Sequence, residues 1–66
     1  MLRVTKERKR QKWTQAELAR RAWINASTLS LIESGHYKPY DSQLIKLANA
    51  LGFTDDPHRL LDEIDQ

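Results

Sequence analysis

TQAELARRAWINASTLSLIESG, residues 14–35, decides the fold. Thr14 stands three positions before Glu17, the spacing of a capping box. There the Thr14 hydroxyl accepts from the Glu17 amide and the Glu17 carboxylate reaches back. Trp13 and Leu18 flank the cap at the spacing of a hydrophobic staple. The pattern predicts a helix over residues 15–22 with Leu18, Ala19 and Ala22 on one face. Trp23-Ile24-Asn25 breaks it, and Asn25 suits the N-cap of a second helix over residues 26–34. That helix buries Leu29 and Ile32 and stops at Gly35, which fits the left-handed position after a helix end. Its other face carries Ala26, Ser27, Ser30, Leu31 and Ser34, with no basic side chain.

Outward from this pair, the rest also reads as helix. Residues 3–12 form a basic helix in which long side-chain stems cover what Leu2 and Val4 bury. Pro39 holds Lys38 extended. Asp41 or Ser42 then caps a helix to about Leu51, whose Leu44, Leu47, Ala48 and Leu51 recur at i, i+3, i+4 and i+7. Asp56 caps a last helix with Pro57 at its first position, and Leu60, Leu61 and Ile64 form its apolar face. No stretch alternates apolar and polar residues as a strand does. The expectation is all-α, with five helices in a single domain over residues 1–66.

Composition excludes much. A chain of 66 residues buries only about 60% of the surface it exposes when unfolded. There is no cysteine, and His36 and His58 lie far apart in sequence, so neither a disulfide nor a zinc site is expected. No cofactor motif is present. The longest apolar run, Ala22-Trp23-Ile24, is far too short to span a membrane. With no thiol, no Ser-His-Asp arrangement and no glycine-rich phosphate loop, an enzyme is not expected. The net charge of +2 conceals an asymmetry. Residues 1–38 hold nine basic side chains against three acids, and residues 39–66 hold two against six. Such a basic N-terminal part favours a polyanion.

Two short helices joined by a three-residue break describe a helix-turn-helix. Thr14 to Ala19, Ser27 to Gly35, Pro39 and Leu44 to Gly52 together resemble the Cro/phage-repressor (XRE-like) DNA-binding family, over about Leu2 to Leu61. The resemblance implies a compact, five-helix, lambda-repressor-like domain. It implies a cytoplasmic regulator, of bacterial or phage origin, that binds double-stranded DNA as a homodimer on a pseudopalindromic operator. The second helix of the motif would lie in the major groove. Ala26, Ser27 and Thr28 would then face base edges, with Ser30 and Leu31 one turn on and Asn25 beside them. Arg8, Thr14, Gln15, Tyr37, Lys38 and Tyr40 fall where phosphates are held. Arg8 and Glu33 match a structural salt bridge, and Leu60, Leu61 and Ile64 are the expected dimer surface.

Three positions depart from the family pattern. Trp23 replaces a customary glycine, so either the turn is reshaped or the indole packs and offsets the strain. Tyr40 replaces a small capping residue, which delays the fourth helix by one position. Glu7 replaces an apolar residue of the first helix. Ala26 to Leu31 also lack the Arg, Lys, Asn or Gln that read guanine and adenine best, so backbone contacts and DNA shape carry more of the recognition. The competing reading is a protein-interaction module on the same fold, an antitoxin or co-regulator, with Trp23 and Tyr37 as contact residues.

Overall fold

The computed structural model describes residues 1–65. Its elements are α1 (Arg3–Arg10), α2 (Gln15–Ala22), α3 (Ala26–Ser34), α4 (Asp41–Leu51) and a 3-10 helix (Pro57–Leu61). The fifth helix is therefore five residues of 3-10 turn rather than an α-helix. Its start is as expected: Asp56 Oδ1 accepts from the His58 amide, and Pro57 stands at the first helical position.

The caps explain the other boundaries. Thr14 Oγ1 accepts from the Glu17 amide at 3.1 Å. The Glu17 carboxylate does not complete the box, because the Arg20 and Arg21 guanidiniums occupy it. Those two hydrogen bonds, Arg20 first, lower the Glu17 pKa. Asn25 Oδ1 caps α3 through the Ser27 amide at 2.8 Å. At α4 the N-cap is Tyr40, not Asp41 or Ser42. A phenol cannot bond back to its own helix as a serine does, so Gln43 Oε1 reaches out to the Tyr40 amide instead, at 2.9 Å.

All four α-helices end the same way. The amide one residue past the left-handed position returns to a carbonyl five residues earlier: Trp13 to Arg8, Ile24 to Ala19, His36 to Leu31 and Phe53 to Ala48. This is the Schellman closure. Gly35 and Gly52 fill the left-handed position of α3 and α4, but Lys12 (φ 62°) and Trp23 (φ 60°) fill it after α1 and α2. The first explains why α1 stops at Arg10 rather than Lys12. The second corrects the reading of Trp23. The turn keeps its shape, and the indole does not pack: Trp23 is 86% exposed. A left-handed residue with a Cβ costs about 1–2 kcal/mol, and no burial of Trp23 within the chain offsets it.

One core joins these elements. Val4, Leu18, Ala19, Ala22, Leu29, Ile32, Leu44, Leu47, Ala48, Leu51 and Leu60 are buried, with Leu2, Trp13, Ile24 and Phe53 packed around them. Beyond the 3-10 helix the chain runs extended. The Arg3 amide donates to the Asp62 carbonyl at 2.9 Å, and the Ile64 amide donates to the Met1 carbonyl at 2.8 Å. Leu2 and Glu63 form an antiparallel bridge. Ile64 thus lies on a strand-like pairing rather than on a helix face.

His58 ties the 3-10 helix to α4. Its Nε2 lies 2.8 Å from Asp41 Oδ1 and its Nδ1 3.1 Å from Asp56 Oδ1. These bonds, Asp41's first, raise its pKa above the ordinary histidine value. A raised folded-state pKa adds stability that is complete below the ordinary value, about 6.5. That stability is lost as pH rises through the raised value. The melting temperature is expected to fall across this window, and His58→Gln to flatten the fall. A parallel fall in both proteins would show that the staple is idle. Trp23→Gly is expected to stabilise the chain by about 1 kcal/mol, seen in thermal melts as a gain of about 4–8 °C.

Candidate nucleic-acid interface

The α2–turn–α3 unit is fixed to α1 by one cluster. Arg8 Nε donates to Glu33 Oε2 at 2.9 Å and its Nη2 to Glu33 Oε1 at 3.0 Å. Its Nη1 donates to the Trp13 carbonyl at 2.8 Å. Gln15 Nε2 adds a bond to Glu33 Oε1 at 3.1 Å. The side chains of Arg8 and Glu33 are only 12% and 5% exposed. The expected salt bridge is present, and it is bidentate. Arg8 is held inside the protein, which leaves little of it for a phosphate. Gln15 sits at the first position of α2, half-buried, with its carbonyl oxygen uncommitted among the described residues.

α3 turns its plain face outward. Asn25, Ala26, Ser27, Ser30 and Leu31 are exposed, Thr28 is half-buried, and Leu29 and Ile32 face the core. Asn25 and Ser27 form a defined pair. Asn25 Oδ1 accepts both the Ser27 amide and the Ser27 hydroxyl, the latter at 2.6 Å. Ser27 Oγ therefore keeps its lone pairs as acceptors, and Asn25 Nδ2 keeps two N–H donors. Capping therefore engages only the oxygen of the Asn25 amide, and its nitrogen stays uncommitted among the described residues.

The flanking residues divide. Thr14, Lys38 and Tyr40 are exposed. Tyr37 is half-buried and its hydroxyl donates to Gln43 Oε1 at 3.1 Å, so it braces the loop onto α4. Leu60 is fully buried in the chain's own core and has no surface to offer a partner. Leu61 and Ile64 are half-buried.

Charge is organised by residue type. Every arginine is ion-paired: Arg3 and Arg10 with Glu7, Arg8 with Glu33, Arg20 and Arg21 with Glu17, and Arg59 with Asp55 and Asp62. Glu7, the departure in α1, is the acid that gathers two of them. Lys6, Lys9, Lys12, Lys38 and Lys46 form no ion pair among the described residues. Four of these five lie in the basic first part of the chain.

A family model described as helix-turn-helix matches residues 4–57, which takes in α1 from its second residue through the start of the 3-10 helix. The chain belongs to the Cro/C1-type helix-turn-helix family. It is a DNA-binding helix-turn-helix regulator, with α2 and α3 as its motif. No curated protein and no solved structure matches it at a significant level. Among the described residues no group of side chains could hold a metal ion, and no helix is long and apolar enough to cross a membrane.

Glu33→Ala leaves the Arg8 guanidinium buried without its partner. The expected loss is about 3–5 kcal/mol, read from urea unfolding. Combining Arg8→Met with Glu33→Leu is expected to recover most of it. Unchanged stability in Glu33→Ala would show that the cluster does not hold the motif in place.

Proposed function

We propose that this regulator binds a pseudopalindromic operator in double-stranded DNA as a homodimer, in the cytoplasm, with α3 in the major groove. The observation that carries the reading is the outward face of α3. It is exposed, polar, and built around the fixed Asn25–Ser27 pair. Ser27 Oγ offers lone pairs to an adenine N6 or cytosine N4 amino group, and Asn25 Nδ2 offers donors to a guanine edge or a phosphate. Thr28 and Ser30 add hydroxyls. Ala26 and Leu31 offer apolar contact to a thymine methyl.

Backbone binding comes from the α2 N-terminus, where Thr14 and Gln15 lie beside free helix amides. Lys38 and Tyr40 flank the far end of α3, and Arg8 acts by positioning Gln15 rather than by contact. The half-exposed Leu61 and Ile64 beside the chain-end bridge form the dimer surface, and their acidic neighbours keep that surface away from phosphates.

Selection of bound duplexes from a random pool is expected to return two half-sites about one helical turn apart. The slope of affinity against salt is expected near −0.9 per neutralised phosphate. Ser27→Ala and Thr28→Ala should alter base preference, whereas Lys38→Ala should weaken all duplexes alike. Ile64→Asp should dissociate the dimer and lower operator affinity. Absence of binding to any duplex at about 50 mM salt would refute the reading.

A further inference from the structure

A shallow pocket of about 260 Å3 opens where the turn after α2 meets α4. Arg21, Ala22 and Trp23 form one wall, and Lys46, Asn49 and Ala50 form the other. No residue of α3 lines it. It lies at the C-terminal end of α2, about 12 Å along the helix from Gln15, and so away from the phosphate-binding end.

We propose that this pocket docks an acidic peptide segment of a partner protein, with an apolar side chain against Trp23 and Ala50 and a carboxylate on Lys46. Four observations converge on it. The lining is cationic: Lys46 forms no ion pair among the described residues, and no acid lines the pocket. Arg21 holds its guanidinium 4.4 Å from the Trp13 ring centroid while paired to Glu17, which fixes that wall. The volume falls below the ~300–1,000 Å3 of small-molecule sites, and suits one side chain of an extended segment.

The fourth observation is Trp23 itself. The turn needs a left-handed residue, which glycine supplies without strain. The chain instead places there a tryptophan that is 86% exposed, with Ile45 half exposed one position before Lys46 on α4. Strain of this kind persists where a site uses it. Exposed tryptophan beside a cation is the composition of interface anchors. The proposal is independent of how α3 reads DNA.

The probe is a short fluorescein-labelled peptide repeating two glutamates and a leucine, titrated into the full chain and followed by anisotropy. Binding is expected, and should weaken at least about tenfold in both Trp23→Gly and Lys46→Glu. The same peptide with lysine for glutamate should not bind. Thermal melts should show Trp23→Gly at least as stable as the parent, and its duplex affinity should stay within about twofold. Failure of the peptide to bind, or binding indifferent to both substitutions, overturns the proposal. A loss of duplex affinity of about tenfold in Trp23→Gly would assign the indole to DNA instead. A Trp23-dependent rise in mass with concentration would make a second copy of the chain the occupant. Either result also overturns it.

Discussion

The guanidinium of Arg8 reaches from α1 to three other parts of the chain. It grips Glu33 near the end of α3, holds the Trp13 carbonyl in the loop before α2, and through Glu33 meets Gln15 at the start of α2. α1 brings few apolar groups to the core, Val4 being its one buried residue. Packing alone would leave its angle to the motif loosely defined. Desolvating two charges offsets much of their attraction, so the cluster acts more on geometry than on net stability. It links α1, α2 and α3 through one set of hydrogen bonds, and the face of α3 is presented at the angle those bonds hold.

Much of this was legible because it is local. Thr14, Asn25, Gly35 and Gly52 each act on backbone groups within a turn, and the helices of the motif run between the residues their caps predict. The Arg8–Glu33 pair was legible only through family resemblance, since nothing in its spacing of 25 residues announces a contact. The misreadings share a cause. The Schellman closures at Lys12 and Trp23 are driven by returning hydrogen bonds that accept any residue able to tolerate the strain, so residue type did not mark them. Tyr40 caps α4 because Gln43, inside the helix, supplies the missing bond. The pairing of residues 1–3 with residues 62–64 joins the two ends of the chain, and no periodicity in either segment encodes it.

The site divides in the same way. Exposure on α3 followed from helical periodicity, so the outward placement of Ala26, Ser27, Ser30 and Leu31 was legible in the sequence. The commitments of individual atoms were not. Tyr37 gives its hydroxyl to Gln43, Leu60 is fully enclosed, and Asn25 splits its amide between capping and an open donor edge. Each depends on a partner that only the folded chain brings near.

The separation of arginine from lysine has a kinetic meaning. A guanidinium locked to a carboxylate stays where the fold puts it. A hydrated ammonium on a flexible stem can follow a passing phosphate and exchange it for the next. On the proposed reading, the protein would meet phosphates first through its unpaired lysines, whose contacts every sequence satisfies equally. Such contacts favour rapid encounter and one-dimensional sliding. Arrest at a particular site would then fall to uncharged groups, a few hydroxyls and one amide. On that reading, salt in the medium would govern how the protein searches, while the chemistry of α3 would govern how long it stays.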